Sequence, residues 1–338
     1  MIYLLYIAIG LVLIFSFTNG MKDGCNVMAT AIASQSISRK HSLIIVTISE
    51  FIGPFIFGIP VAMTVAKGII NIDILPRNMD SILLVLSGVA GAIIWNFLTW
   101  LFSLPTSSSF ALVGGMIGPV LFKYGKDAVP WAVFLVKVIG AMFLSPVLGI
   151  LFGYLIFKFF TYLLRNSTPK ANIYLEKFQV ATLIALGLSH GTNDSQKAMG
   201  IIALLLMLAG ILPSISIPLW VMTVSALVLA TGITMGGTKI IKTVGYNIFK
   251  IRPIHSFTSQ ISAFSILLAC NLLGAPVSTT QIISSSVIGV GSAYRPKSVK
   301  WKIIYNIVLS WLLTIPLAGA VAAIVYIILR EIIFGGLS

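Results

Sequence analysis

The sequence predicts an all-α polytopic membrane protein. Its plan is two inverted-topology repeats of about five membrane segments each, with interrupted helices at the midplane. Three observations carry that expectation: an apolar, charge-poor composition, motifs that recur at a fixed offset, and basic residues gathered on one side of the spans. Of 338 residues, 58% are hydrophobic and only 9% charged, and the mean hydropathy is +1.05. A soluble domain carries about a quarter charged residues. That contrast excludes a soluble enzyme, a nucleic-acid binder and a disordered scaffold. The net charge of +14 reads as basic residues retained in cytoplasmic loops rather than as a nucleic-acid surface. Cys25 and Cys270 lie in apolar segments without metal-ligand spacing, so neither a disulfide framework nor a zinc site is expected. The apolar run from Met1 to Phe17 lacks a basic start and a small-residue cleavage site. It is therefore read as the first membrane helix rather than a signal peptide.

The chain repeats itself. NGMKDGCNVMA at 19–29 answers HGTNDSQKAMG at 190–200, pairing Gly20 with Gly191 and Asp23 with Asp194 at an offset of 171. PTSSSF at 105–110 answers PVSTTQ at 276–281 at the same offset, and SPVLG at 145–149 answers IPLAG at 315–319 at an offset of 170. Three matches in order, within one residue of a common offset, divide the chain into 1–164 and 177–338, joined by a polar linker at 165–176.

A spanning helix needs about 20 apolar residues. The first repeat offers 2–38, interrupted by the 19–26 motif, then 42–65, 81–103, 105–122 and 131–164. The second offers 178–212, interrupted by 190–197, then 217–236, 257–274, 276–294 and 304–329. With the N-terminus outside, five crossings per repeat put the linker in the cytoplasm and both termini outside. Inner loops then hold fourteen basic residues, among them Arg39, Lys40, Lys239 and Lys242, against five outside: Lys67, Arg77, Lys123, Lys126 and Arg330. That bias is positive-inside. An odd number of crossings turns the second repeat upside down. Inverted repeats with interrupted helices are the architecture of secondary transporters, whose sites lie at the midplane between repeats. A plasma-membrane location follows.

Six charged residues sit at membrane depth: Asp23, Glu50, Asp194, Lys22, Lys137 and Lys197. Each costs about 2.5–3.5 kcal/mol at a helix centre even on the lenient insertion scale, so such residues face polar interiors and carry function. Asp23 and Asp194 occupy equivalent places beside glycines that would let the helix open. Local pairing of Lys22 with Asp23 and of Asp194 with Lys197 is the plain structural alternative. Glu50 and Lys137 have no counterpart at the repeat offset, and Glu50 reads as a proton site or as a partner of Lys137 or Lys22. Ser189 and His190 are adjacent and do not face each other on a helix, so an intramembrane hydrolase is not expected.

Each repeat also carries a proline followed by hydroxyl residues: Thr106, Ser107, Ser108 and Ser109, then Ser278, Thr279 and Thr280 after Val277. A helix that starts inside the membrane presents bare N–H groups and a positive dipole end, which suits an anion. Two such starts, brought together by symmetry, form a cradle for a tetrahedral oxyanion. Carbonyls freed at helix interruptions, with Asp23, Asn193, Asp194 and Thr192, offer oxygen ligands for a small cation.

These motifs resemble the inorganic phosphate transporter (PiT) family, bacterial and archaeal type. GMKDGCN at 20–26 and GTNDSQK at 191–197 are similar to the family's paired Gly-x-Asn/His-Asp-x-x-Asn signatures, and SHGTNDSQKAMG from Ser189 is especially close to bacterial members. PTSSSFALVGGMIG from Pro105, PVSTTQIISSSVIGVGS from Pro276 and GGTKIIKTVG from Gly236 resemble further family segments. The resemblance spans essentially the whole chain. It implies phosphate uptake coupled to sodium or protons. Substrate contacts would come from Thr106, Ser107, Ser108, Ser109, Ser278, Thr279, Thr280, Asn26, Lys22 and Lys197. A coupling cation, with sodium at Asp23 and Asp194 as one option, would be held with Asn193 and Thr192. No cofactor beyond sodium is implied. The expected partners are inorganic phosphate, sodium or protons, and the lipid bilayer, with a homodimer left open and no nucleic acid. Three residues depart from the family pattern: Lys22, where it has Asn or His, and Phe110 and Gln281, where it often has His. We expect Lys22 to replace one cation and lend its charge to the anion. A sulfate or other oxyanion permease and, more distantly, a passive anion channel are the rival readings.

Overall fold

A computed structural model describes residues 1–101, 106–168, 170–236, 245 and 249–335, with backbone alone for residues 100, 298, 303, 304, 306 and 307. Pro105, Lys239, Lys242 and most of the 236–245 motif lie outside the described residues. The described elements are helices: α1 (Ile2–Ala33), α2 (Arg39–Phe57), α3 (Pro60–Gly68), α4 (Met79–Leu101) and α5 (Ser108–Tyr124). After these come α6 (Trp131–Leu163), then α7 (Ala171–Leu208), α8 (Leu219–Thr234), α9 (Pro253–Leu272), α10 (Thr279–Tyr294) and α11 (Trp301–Phe334). Within α6, Phe134–Gly140 winds as a π-helix. Elements α1, α4, α5 and α6 return as α7, α9, α10 and α11 near the offset of 171, so the structure is built from two repeats.

The segments 81–103 and 105–122 are not two successive crossings. Lys123, at the end of α5, pairs with Asp80, at the start of α4, and Tyr326 donates to the same carboxylate at 2.9 Å. Both ends of the pair lie at one side, so α4 and α5 form a re-entrant hairpin whose tip is buried at Thr106 and Ser107. The second repeat matches it. The His255 ring, at the start of α9, sits 4.6 Å from that of Tyr294, at the end of α10. Hairpin arms are as long and apolar as crossings, so hydropathy cannot separate them. Each hairpin removes two crossings and leaves an odd number per repeat, and the inversion survives the correction.

The signature motifs do not interrupt their helices. Both α1 and α7 run unbroken through 19–26 and 190–197. Their glycines serve close approach instead: a Cβ on Gly20 would meet Leu229 O at 2.1 Å, and one on Gly191 would meet Glu50 O at 2.2 Å. The breaks fall elsewhere, at the hairpin tips and between α2 and α3, where Gly58 adopts φ +75° before Pro60. Helix α7 repairs the α2–α3 break. Gln196 Nε2 donates to Gly58 O at 2.6 Å, and Gln196 Oε1 accepts from Ala62 N at 3.0 Å. One side chain thus supplies partners to two backbone groups that the break leaves without a helical one.

Two apolar clusters flank the centre. One holds Leu5, Phe15, Ile82, Val120, Leu205 and Tyr326, at the end that carries both termini. The other holds Ala29, Phe157, Leu186, Ile266 and Val287, at the end that carries the 165–176 segment. The side chains of α6 and α11 turned away from the protein are large and apolar, Phe152, Leu155, Phe159, Ile324 and Ile328 among them, as lipid requires.

The two repeats are interleaved rather than side by side. A Cβ on Gly118 of α5 would meet Gly319 O of α11 at 2.0 Å, and one on Gly289 of α10 would meet Ile150 O of α6 at 2.2 Å. Each hairpin therefore docks on the last long helix of the other repeat. Helices α1 and α2 likewise pack on α8 and α7. Each repeat thus holds the other's hairpin.

Candidate functional site

The two hairpin tips meet between the apolar clusters. Ser107 and Ser278 are the N-caps of α5 and α10, accepting from Phe110 N at 3.3 Å and Gln281 N at 3.4 Å. Their hydroxyls also bond each other at 2.8 Å. Capping of this kind is what Ser does at a helix start. Here it fixes two positive helix ends face to face in the protein centre.

On one side of this contact stands Asp23, which accepts from Thr280 Oγ1 at 2.6 Å and from Ser108. Asn26 Nδ2 donates to the same Thr280 hydroxyl at 2.9 Å, while Asn26 Oδ1 is buried without a hydrogen-bond partner among the described residues. On the other side stands Asp194. Its Oδ1 accepts from Lys197 Nζ at 2.6 Å, and its Oδ2 from Asn19 Nδ2 at 3.0 Å and Thr279 Oγ1 at 3.4 Å. Lys197 Nζ also donates to Ser109 Oγ at 2.6 Å and Val277 O at 3.0 Å. The two sides correspond at the repeat offset: Asp23 with Asp194, Asn26 with Lys197, Thr280 with Ser109, and Ser108 with Thr279.

Asn19 links them. Its Oδ1 lies 2.5 Å from Ser108 Oγ while its amide holds Asp194. Behind Asp194, His190 Nε2 lies 3.3 Å from Asp194 Oδ2, and His190 Nδ1 lies 2.9 Å from Glu50 Oε1, with all three side chains fully buried. Glu50 is thus the partner of His190, not of Lys22 or Lys137. Neither Asn19 nor His190 was singled out as a ligand by sequence, although 19 and 190 are equivalent positions of the repeated motif.

Lys22 stands at the half-buried edge, its Nζ 3.4 Å from Thr106 Oγ1, which in turn donates to Thr99 Oγ1 at 2.8 Å. No salt bridge joins Lys22 to Asp23, whereas Asp194 and Lys197 do pair. Thr192 is turned away, donating to Leu188 O at 2.7 Å beside Gly53. Asn193 anchors the second tip: its Nδ2 reaches Asn271 Oδ1 at 2.8 Å and Ala275 O at 3.3 Å, and its Oδ1 accepts from Val277 N at 3.4 Å. Phe110 is buried against Phe143. Gln281 is buried with both amide atoms unpartnered among the described residues. Lys137 lies outside the cluster, lining with Lys67 an open cavity of about 390 Å³ between α3, the π-helical stretch and Gly274.

The arrangement combines donors suited to a tetrahedral anion with carboxylates and neutral oxygens suited to a hard cation. The chain is 34% identical to a Bacillus subtilis (strain 168) protein named "Probable low-affinity inorganic phosphate transporter", over 95% of each chain. It is 36% identical to a Rhizobium meliloti (strain 1021) protein of the same name, over 94% of each. A solved structure titled "The sodium-dependent phosphate transporter" superposes with a TM-score of 0.89 at 26% identity, covering 98% of this chain and 100% of that one. The profile of the phosphate transporter family matches twice, at residues 19–176 and 165–322. With its repeats, hairpins and central polar cluster, this multi-pass chain belongs to the phosphate transporter family.

Proposed function

We propose that the chain carries inorganic phosphate across the plasma membrane in step with a cation, by alternating access at the centre of the fold. The observation that carries this reading is the meeting of two inward helix starts at Ser107 and Ser278, flanked by one carboxylate from each repeat. The helix ends, the hydroxyls of Thr106–Ser109 and Ser278–Thr280, and the ammonium of Lys22 supply the attraction and hydrogen bonds for the anion. The coupling cation is assigned to Asp23, where Thr280, Ser108 and the unpartnered Asn26 Oδ1 add neutral oxygens. Phosphate carries a proton at neutral pH and can donate to a buried carboxylate. Sulfate cannot, so this acceptor-rich centre favours phosphate.

The interleaved packing supports a moving unit different from a whole repeat. Each hairpin, with the last long helix of the other repeat, shifts against the central helices α1, α2, α7 and α8. Arg39, Lys40, Lys158, Arg165, Lys250, Arg252 and Arg295 belong to the end that carries the 165–176 linker, and Lys67, Arg77, Lys123, Lys126 and Arg330 to the end of the termini. The positive-inside bias assigns the linker end to the cytoplasm.

The test is uptake of labelled phosphate into proteoliposomes, with sodium and proton gradients imposed separately and sulfate as competitor. Accumulation driven by one gradient and resistant to sulfate is the expected result. Equilibration without accumulation removes the coupling, and displacement by sulfate removes the substrate assignment.

A further inference from the structure

The two carboxylates are equivalent by repeat symmetry, yet the charged side chains around them differ: Lys22 precedes Asp23 without a salt bridge to it, whereas Lys197 and His190 both contact Asp194. Position 26 carries a neutral amide and its equivalent, position 197, carries a lysine. Both side chains do the same local work, since Asn26 donates to Thr280 and Lys197 donates to the equivalent Ser109. The ammonium of Lys197 goes further. It has three N–H donors, and three oxygens receive them: the Asp194 carboxylate at 2.6 Å, the Ser109 hydroxyl at 2.6 Å and the Val277 carbonyl at 3.0 Å. A carboxylate, a hydroxyl and a backbone carbonyl of the hairpin tip around one positive centre are the kind of ligand set that suits a hard cation. Lys197 is buried to 2% exposure and has no donor left for the anion. Position 26, the equivalent place beside Asp23, holds no ammonium, and among the described residues Asn26 Oδ1 is left unpartnered there.

We infer that Lys197 is a tethered cation. Its ammonium permanently fills the second repeat's ion position, so that only the Asp23 side takes a cation from solution. This rests on the cation-coupled reading above and sets its count at one transported cation per phosphate. A tethered charge neutralises Asp194 and preserves the electrostatics of the site, but it crosses no gradient and contributes no driving force. The family-pattern departure at Lys22 does not do this, because Lys22 contacts Thr106 rather than a carboxylate.

The experiment uses the full chain in proteoliposomes, with sodium as the probe ion and the membrane potential held at zero. It compares wild type with Lys197→Asn, which copies the Asn26 environment, and with Lys197→Met. At a tenfold sodium gradient, wild type accumulates phosphate about tenfold and Lys197→Asn about a hundredfold, one factor of the gradient per ion carried. Uptake rises from first to second order in sodium. Lys197→Met loses uptake at every sodium concentration. Unchanged order and accumulation in an active Lys197→Asn overturns the inference. Should that variant transport too slowly, its melting midpoint in detergent is followed against sodium, with choline as the replacement ion. A sodium-dependent rise present in Lys197→Asn and absent from Lys197→Met supports a vacated ion position, and equal responses overturn it. Wild type that accumulates phosphate under neither gradient refutes the coupling itself, while the melting comparison still reports on Lys197.

Discussion

Ser107 and Ser278, 171 residues apart in sequence, meet hydroxyl to hydroxyl at 2.8 Å. Each is the N-cap of a helix that starts inside the protein, so the contact joins two like-signed helix ends. Such an arrangement needs compensating negative charge, and the two aspartates flanking it come from the two repeats. The symmetry stops at charge: Asp194 has Lys197 and His190 beside it, whereas the hydrogen bonds to Asp23 come from hydroxyls.

That asymmetry separates stability from transport. Asp194→Asn leaves the Lys197 ammonium buried without its carboxylate. Removing one partner of a buried pair costs about 3–5 kcal/mol, so a large fall in melting midpoint is expected. The double variant Asp194→Asn/Lys197→Met should recover most of it. Asp23→Asn breaks no salt bridge and weakens two hydroxyl hydrogen bonds, so it should melt closer to wild type than Asp194→Asn does. It should nevertheless lose gradient-driven accumulation. Melting curves and uptake on the same preparations check both.

The signature glycines can be tested as contact points. Gly20→Ala and Gly191→Ala push a methyl group into Leu229 O and Glu50 O, at 2.1 and 2.2 Å before relaxation. Overpacking of this kind costs about 1–3 kcal/mol. Gly10→Ala is the control, because nothing lies within 4 Å of its Cβ. Both signature variants should melt lower than the control. Glycines that served only to open the helix would instead give variants that fold normally and transport poorly.

Much of the site was legible because it breaks the rule for its surroundings. Asp23, Asp194 and the two hydroxyl runs stand out in apolar sequence and recur at a fixed offset, so symmetry alone predicts that they meet. The Glu50–His190 pair was not legible: 140 positions separate the two, and Glu50 has no repeat counterpart. The hairpins were hidden for a different reason. The arms α4 and α5 are apolar along their lengths, whether buried or, like Phe97 and Leu101, exposed, and hydropathy reports apolarity without direction. Only contacts such as Lys123 with Asp80 show that the chain turns back. Thr192 and Asn193 adjoin Asp194 in sequence, yet successive helical positions face different ways. One residue faces Gly53 and the other the second hairpin tip.

Glu50 and His190 should behave as a unit. Each faces the other across 2.9 Å with no solvent exposure, so removing either leaves a buried polar group without its partner. Glu50→Gln and His190→Gln should each destabilise, and the double variant should be less damaged than the sum. A coupling of about 0.5–3 kcal/mol is the range for side chains in direct contact. Additive effects in a melting cycle would show that the pair makes no joint contribution.

Lys22 decides between two roles for an ammonium at this site. Its Nζ lies 3.4 Å from Thr106 Oγ1 at the half-buried edge, makes no salt bridge among the described residues, and retains donors for an incoming anion. Lys22→Asn should therefore raise the phosphate KM about tenfold, close to 1.4 kcal/mol of lost binding, while the order of uptake in cation stays the same. Lys22→Arg should retain most of the affinity, because the charge and donors remain. The expectation from sequence that Lys22 replaces one cation implies a different outcome for Lys22→Asn, a gain in sodium dependence. The structure places the oxygen cage around Lys197 instead. A steeper sodium dependence in Lys22→Asn with unaltered phosphate KM would return the tethered-cation role to Lys22, and measuring both parameters on one variant separates the outcomes.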